Sequence, residues 1–115
     1  MKIEMNAHTL AAFEESAEAA SELLTAMANA KRLILLCNLL EGEKPVGQLA
    51  EIVGLTLAAA SQHLAKMRAL GLVRTRREGQ QVFYRLASTQ VEEVLKTLYR
   101  LYCAPQDWLG VTSPV

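Results

Sequence analysis

The residues able to do chemistry fall into two sets. Cys37 and Cys103 are the two thiols of the chain. A thiolate is a nucleophile and the starting point of disulfide exchange. A buried thiol serves equally well as a small inert hydrophobe, and sequence spacing alone leaves both readings open. The second set lies in Gly54–Val73, with Thr56, Ser61, Gln62, His63, Lys66 and Arg68. Hydroxyls and amides read base edges, cations hold phosphates, and small residues near the helix N-terminus permit close approach. Arg76, Arg77, Gln80, Gln81 and Arg85 follow in the next segment. Together these residues fit a DNA-binding face better than an ordinary amphipathic surface.

Charge distribution supports that reading. The 115 residues carry no net charge. Residues 1–30 hold one lysine against five glutamates, whereas residues 56–86 hold six cations against Glu78 alone. A basic third inside a neutral chain is the electrostatic footprint of nucleic-acid binding. The acidic N-terminal segment is expected to lie away from the DNA. At 51% apolar and 21% charged, the chain suits one packed domain. No apolar run approaches the roughly 18 residues of a membrane span, and Met1–Asn6 lacks the apolar stretch of a signal peptide. The expected compartment is the cytoplasm, with no membrane partner and with cysteines that are free thiols at rest or a reactive pair. No Cys-x-x-Cys pair, Ser/His/Asp arrangement or paired-carboxylate site is visible, so an enzyme is not expected.

These residues need elements to position them. Residues 1–8 read as a tail. From Thr9 to Met27 runs a narrow heptad seam of Leu10, Phe13, Ala17, Ala20, Leu24 and Met27. Such a seam fits one partner helix, and helix 1 is expected to dimerise. Asn29 caps helix 2, which runs to about Leu40 with Leu33, Ile34, Leu36, Cys37 and Leu40 as apolar residues. Pro45 suits the first turn of helix 3, Val46 to Val53. Gly54 ends helix 3. Thr56 caps helix 4, which buries Leu57, Ala60, Leu64 and Met67 and stops at Gly71. Helices 3 and 4 make a helix-turn-helix. The period then becomes alternating: Val73–Arg77, a turn at Glu78–Gln81, and a return strand over Val82–Leu86. This hairpin is a wing, its tip fit for phosphates or a minor groove. Thr89-Gln90-Val91-Glu92 reads as a capping box opening helix 5, which runs to Cys103 before Pro105. The fold class is mainly α with a β-hairpin, a winged helix-turn-helix of five helices and a two-stranded wing. Residues 9–104 form its DNA-binding and dimerisation domain, and 105–115, with Trp108 and Leu109, form a C-terminal tail.

Ala26–Leu33, Ser61–Arg68, Gly71-Leu72-Val73 and Phe83–Leu86 together resemble the ArsR (SmtB/ArsR) family of small winged-helix regulators. The similarity covers about residues 21–104. The resemblance implies a homodimer joined through helices 1 and 5 and bound to double-stranded, pseudo-palindromic operator DNA. Metal-sensing members carry Glu-Leu-Cys-Val-Cys-Asp-Leu at helix 3. The matching stretch here is Glu43-Lys44-Pro45-Val46-Gly47-Gln48-Leu49, with both thiols replaced. Others bind zinc through Asp and His on helix 5, but residues 88–103 contain neither. Zinc wants four N, S or O ligands, so no metal and no cofactor is expected. His8 is placed in the tail, and His63 is read as structural or phosphate-facing.

The sulfide- and persulfide-responsive members carry one cysteine in helix 2 and one at the end of helix 5. Leu35-Leu36-Cys37 and Leu101-Tyr102-Cys103 resemble that pattern. The resemblance implies that the fold brings the two thiols together and that a reactive sulfur species links them through a disulfide or a bridge of several sulfurs. It further implies a repressor that loses operator affinity on crosslinking. A general thiol switch and an activator that displaces a silencing protein remain open alternatives.

Overall fold

The computed structural model describes residues 2–103. Residues 104–115, and with them the expected C-terminal tail, Pro105, Trp108 and Leu109, lie outside the described residues. The five helices are α1 (Ala7–Met27), α2 (Ala30–Asn38), α3 (Val46–Val53), α4 (Leu57–Ala69) and α5 (Thr89–Tyr102). Strands β1 (Lys44–Pro45), β2 (Val73–Glu78) and β3 (Gln81–Leu86) form an antiparallel sheet in the order β1-β3-β2. The winged helix-turn-helix expected from the sequence is present, with one strand more than expected.

That extra strand, β1, is two residues long and pairs Lys44 with Tyr84 and Pro45 with Phe83. Two residues have no readable period. Pro45 belongs to this edge strand, where its missing N–H is harmless, and it precedes α3 rather than standing inside it. Lys44 is only 9% exposed. Its Nζ donates to the carbonyl oxygen of Asn38 at 2.8 Å and to the Glu41 carboxylate, so the charge is carried inward with partners. A short 3-10 turn, Leu39–Glu41, joins α2 to this strand.

Local chemistry fixes the helix ends. Asn6 caps α1, its Oδ1 accepting from the Thr9 N–H at 2.8 Å, so the helix begins at Ala7 and takes in His8. The Asn29 and Thr56 side chains accept from the Arg32 and Ala59 N–H groups, both at 3.1 Å. At the end of α4 the Leu72 N–H donates to the Met67 carbonyl and the Gly71 N–H to the Arg68 carbonyl, with Gly71 at φ 79°. This is the Schellman closure. Its accompanying apolar pair is buried Met67 and Leu72. Gly54, at φ 69°, closes α3 by the same two bonds, from Leu55 to Ala50 and from Gly54 to Glu51. Helix 5 departs from expectation by one residue. Ser88, not Thr89, is the cap, accepting from the Val91 N–H at 3.2 Å. Val91 therefore takes the third position and the expected capping box is displaced.

The core is built from Leu35, Leu36, Leu39, Leu49, Leu64, Met67, Leu72, Val73, Val91 and Leu95. On α2 the buried residues are Leu35 and Leu36, whereas Ile34 is exposed; buried Leu39 belongs to the 3-10 turn that follows. Leu57, expected in the core, is 57% exposed. It sits in the first turn of α4, beyond the reach of the elements that cover Ala60, Leu64 and Met67. Of α1, only Ala26 and Met27 are buried. The seam residues Leu10, Phe13 and Leu24 are exposed in the single chain.

Candidate DNA-reading face and dithiol groove

The outward face of α4 follows from its buried one. Each residue turns about 100° around a helix. With Ala60, Leu64 and Met67 inside, the opposite ridge is Ala58, Gln62, Ala65 and Ala69, all exposed. Gln62 thus stands between two alanines, able to approach a base edge closely. Ala58 and Ala65 were not singled out from sequence as site residues; their spacing at i, i+4 and i+7 about Gln62 was the available signal. Ser61 is half-buried on one flank of the ridge, and His63 is half-buried and turned off it. Thr56 is exposed, and its hydroxyl is engaged as the cap. Lys66 and Arg68, both exposed, occupy the last turn, where cations favour the negative end of the helix.

The wing carries the other cations. Its loop is two residues, Gly79 and Gln80, with Gly79 at φ 62°. That positive φ suits a tight hairpin and costs glycine nothing. The register places Arg74 directly opposite Arg85 and Arg76 opposite Phe83. Arg68, Arg74 and Arg85 line one shallow concavity of about 520 Å³ with Gly71, Thr75 and Ala87. Like charges facing across strands repel, so this set is arranged for an anion. Arg74 was not singled out from the sequence, because the pairing that opposes it to Arg85 depends on the loop length. Arg77, Gln80 and Gln81 are exposed towards the tip.

Arg76 behaves differently. Its Nε donates to both Glu43 carboxylate oxygens, at 3.0 and 3.2 Å, and further nitrogens donate to Glu43 and Glu78. The guanidinium also stacks 4.6 Å from the centre of the Phe83 ring. The hydrogen bond from Arg76 holds the Glu43 carboxyl below its ordinary range. Arg76 therefore ties β2 to the segment leading into β1, and must exchange partners to meet a phosphate.

On the other side of the molecule, α2 packs on α5. Between them lies an apolar groove of about 420 Å³ lined by Leu33, Ile34, Leu98, Tyr99 and Tyr102, together with Cys37 and Cys103. The fold thus brings the two thiols, far apart in sequence, to one groove. Both are free; Cys37 is half-buried and Cys103 exposed. Burial pushes the Cys37 thiol up from its ordinary value, and charge on Cys103 pushes it further. Among the described residues no group of His, Cys, Asp and Glu is placed to hold a metal ion.

The profile of bacterial regulatory proteins of the arsR family matches residues 29–75. The transcriptional activator HlyU of Vibrio cholerae is 50% identical over 90 residues, covering 78% of this chain and 83% of HlyU. The chain belongs to the arsR family. Its members are DNA-binding transcription regulators, so the chain is a regulator and not an enzyme. Reduced HlyU superposes with a TM-score of 0.76 at 49% identity, over 80% of this chain and 97% of that one. The transcriptional repressor BigR of Xylella fastidiosa gives 0.78 at 36% identity, over 84% and 99%. The homodimeric winged helix-turn-helix domain of Mb0332 from Mycobacterium bovis gives 0.68 at 28%, over 88% and 89%. No single helix among the described residues is long and apolar enough to cross a membrane.

Proposed function

We propose that this regulator is a homodimeric, cytoplasmic repressor that senses persulfides through Cys37 and Cys103. The observation that carries the reading is the shared apolar groove holding both thiols. One thiolate attacks the outer sulfur of an organic persulfide, RSSH, and RSH leaves. The second thiol then attacks the protein-bound persulfide, expels hydrosulfide and closes a disulfide. When both cysteines are first persulfidated, their condensation releases hydrogen sulfide and leaves a trisulfide. A disulfide needs Cα atoms about 4.4–6.8 Å apart, and an added sulfur spans more.

The dimer is formed through α1 and α5. Exposed Leu10, Phe13 and Leu24 on α1, and Leu101 and Tyr102 on α5, supply apolar surface for it. Two recognition helices then meet half-sites about one DNA turn, roughly 34 Å, apart. Base edges are read by Gln62 with Ser61 and Thr56 beside it; His63, half-buried and turned off the ridge, is not among the readers although the sequence offered it. Phosphates are held by Lys66, Arg68, Arg77 and Arg85, by Arg76 after it leaves Glu43, and by Gln80 and Gln81 at the wing tip. Crosslinking α2 to α5 displaces a dimer element and so changes the spacing of the two α4 helices. A coupling of about 1–3 kcal/mol lowers affinity about 5–150-fold.

The test is operator affinity of the reduced protein before and after an organic persulfide, with intact mass alongside. Loss of affinity with added sulfur joining Cys37 to Cys103, and no response to peroxide, is the expected result. Cys37→Ser and Cys103→Ser should each bind DNA and fail to respond. A plain disulfide with either oxidant makes the protein a general thiol switch, and unchanged affinity removes the sensing role. The relatives include both an activator and a repressor. A promoter–reporter assay decides the sign, with repression in the reduced state expected.

A further inference from the structure

A pocket of about 750 Å³ opens where the end of α1, the start of α2 and the end of α4 meet, lined by Glu22, Thr25, Asn29, Arg32, Lys66 and Leu70 among others. Arg32 is anchored there by one nitrogen, Nη1, which donates to the Ala26 carbonyl at 2.8 Å. Its Nε is buried and has no acceptor. A buried donor without a partner is costly, more so on a charged group. Lys66 reaches the same pocket from α4, one turn after Gln62, and among the described residues neither cation is in an ion pair.

The position of the pocket identifies what fills it. Lys66 and Arg68 are two residues apart, which puts them about 160° apart around α4. The ridge of Ala58, Gln62 and Ala65 runs between them. Arg68 leads to the concavity it shares with Arg74 and Arg85; Lys66 leads to Arg32. A helix lying in a major groove has a sugar–phosphate backbone along each side, and α4 has a cationic recess on each flank. The planar guanidinium fork suits phosphate oxygens, and Lys adds a point charge. We infer that Arg32 and Lys66 form a binding site for a DNA backbone phosphate, on the side of the recognition helix away from the wing. This rests on α4 being the DNA-reading helix.

The experiment uses a fluorescein-labelled random-sequence duplex of about 30 base pairs, because phosphate contacts are independent of sequence. Anisotropy titrations at about 50 to 200 mM salt give the slope of log affinity against log salt. Losing one phosphate contact lowers the slope by about 1, hence by about 2 for a dimer. Lys66→Gln and Arg32→Gln should each show that loss and weaken binding at low salt. Lys96→Gln, which removes an equal charge on α5, should keep the wild-type slope. Arg32 also ties down Ala26, so a thermal midpoint accompanies each variant; Lys66 is exposed and tests the site without that burden. Wild-type slopes in both pocket variants, beside a wild-type protein that binds the duplex, overturn the site and leave the DNA reading standing. A wild-type protein that binds no duplex at low salt overturns both.

Discussion

On α4, Gln62 and Lys66 stand exposed on a helix whose two ends are fixed by bonds within a few residues. Between α2 and α5, Cys37 and Cys103 are neighbours only because two helices far apart in the chain pack together. The first region can present its side chains unchanged through many contacts with DNA. The second owes its geometry to the packing of α2 on α5. The two regions are therefore built differently, one fixed by local bonding and the other by the packing of helices distant in the chain. The end of α2 is also tied to the wing. Lys44 donates to the carbonyl of Asn38, next to Cys37, and lies on β1, which pairs with the wing strand β3.

The largest expected effect separates the two regions by stability. Leu95 is fully buried on α5, one turn before the groove residues Leu98 and Tyr99. Leu95→Ala should cost about 2–5 kcal/mol in denaturant unfolding, from lost burial and the cavity left behind. Leu57→Ala, on the exposed first turn of α4, should stay within about 0.5 kcal/mol. Equal losses would mean that α4 owes its position to Leu57, and the contrast between a locally capped helix and a packed groove would fail.

Function separates next. Gln62→Ala should remove about 1–3 kcal/mol of discrimination at one base pair while leaving the salt slope unchanged. Arg77→Ala should weaken binding to every sequence alike and lower the slope. A systematic competition series over duplex variants, repeated at several salt concentrations, reads both quantities. Identical behaviour of the two variants would dissolve the division between base reading and phosphate holding.

What could be read from sequence follows the same line. The helix-turn-helix was legible because Thr56, Gly54 and Gly71 act within four residues of themselves. Ser88 and Thr89 are both good caps, and which one starts α5 is decided by tertiary burial of Val91 and Leu95, which no local rule contains. Leu57 has the right spacing for the core but lies past the last element that could cover it. β1 is too short to have a pattern. Arg74 gains its neighbours only once the two-residue loop sets the register. The shared groove of Cys37 and Cys103 was reached through resemblance to a family, since the spacing of two thiols in a chain says nothing of their separation in space. Arg32 declared itself only as a buried nitrogen without an acceptor.

The smallest effect concerns the pH at which the groove reacts. Burial disfavours the Cys37 thiolate, and a charge on Cys103 disfavours it further. Both raise the folded-state value, so the proton is held more tightly in the folded chain than in the unfolded one. Stability from this source is present at neutral pH and is lost as pH rises through the raised value. Reactivity runs the opposite way, because the thiolate is the attacking form. In Cys103→Ser the charge contribution disappears and burial remains, so the alkylation rate of Cys37 by iodoacetamide should still reach half-maximum above the ordinary thiol range. Restoring Cys103 should move it further up. A half-maximum at or below the ordinary value would show that a cation stabilises the Cys37 thiolate, and the groove would then be a pre-activated nucleophile rather than a protected thiol.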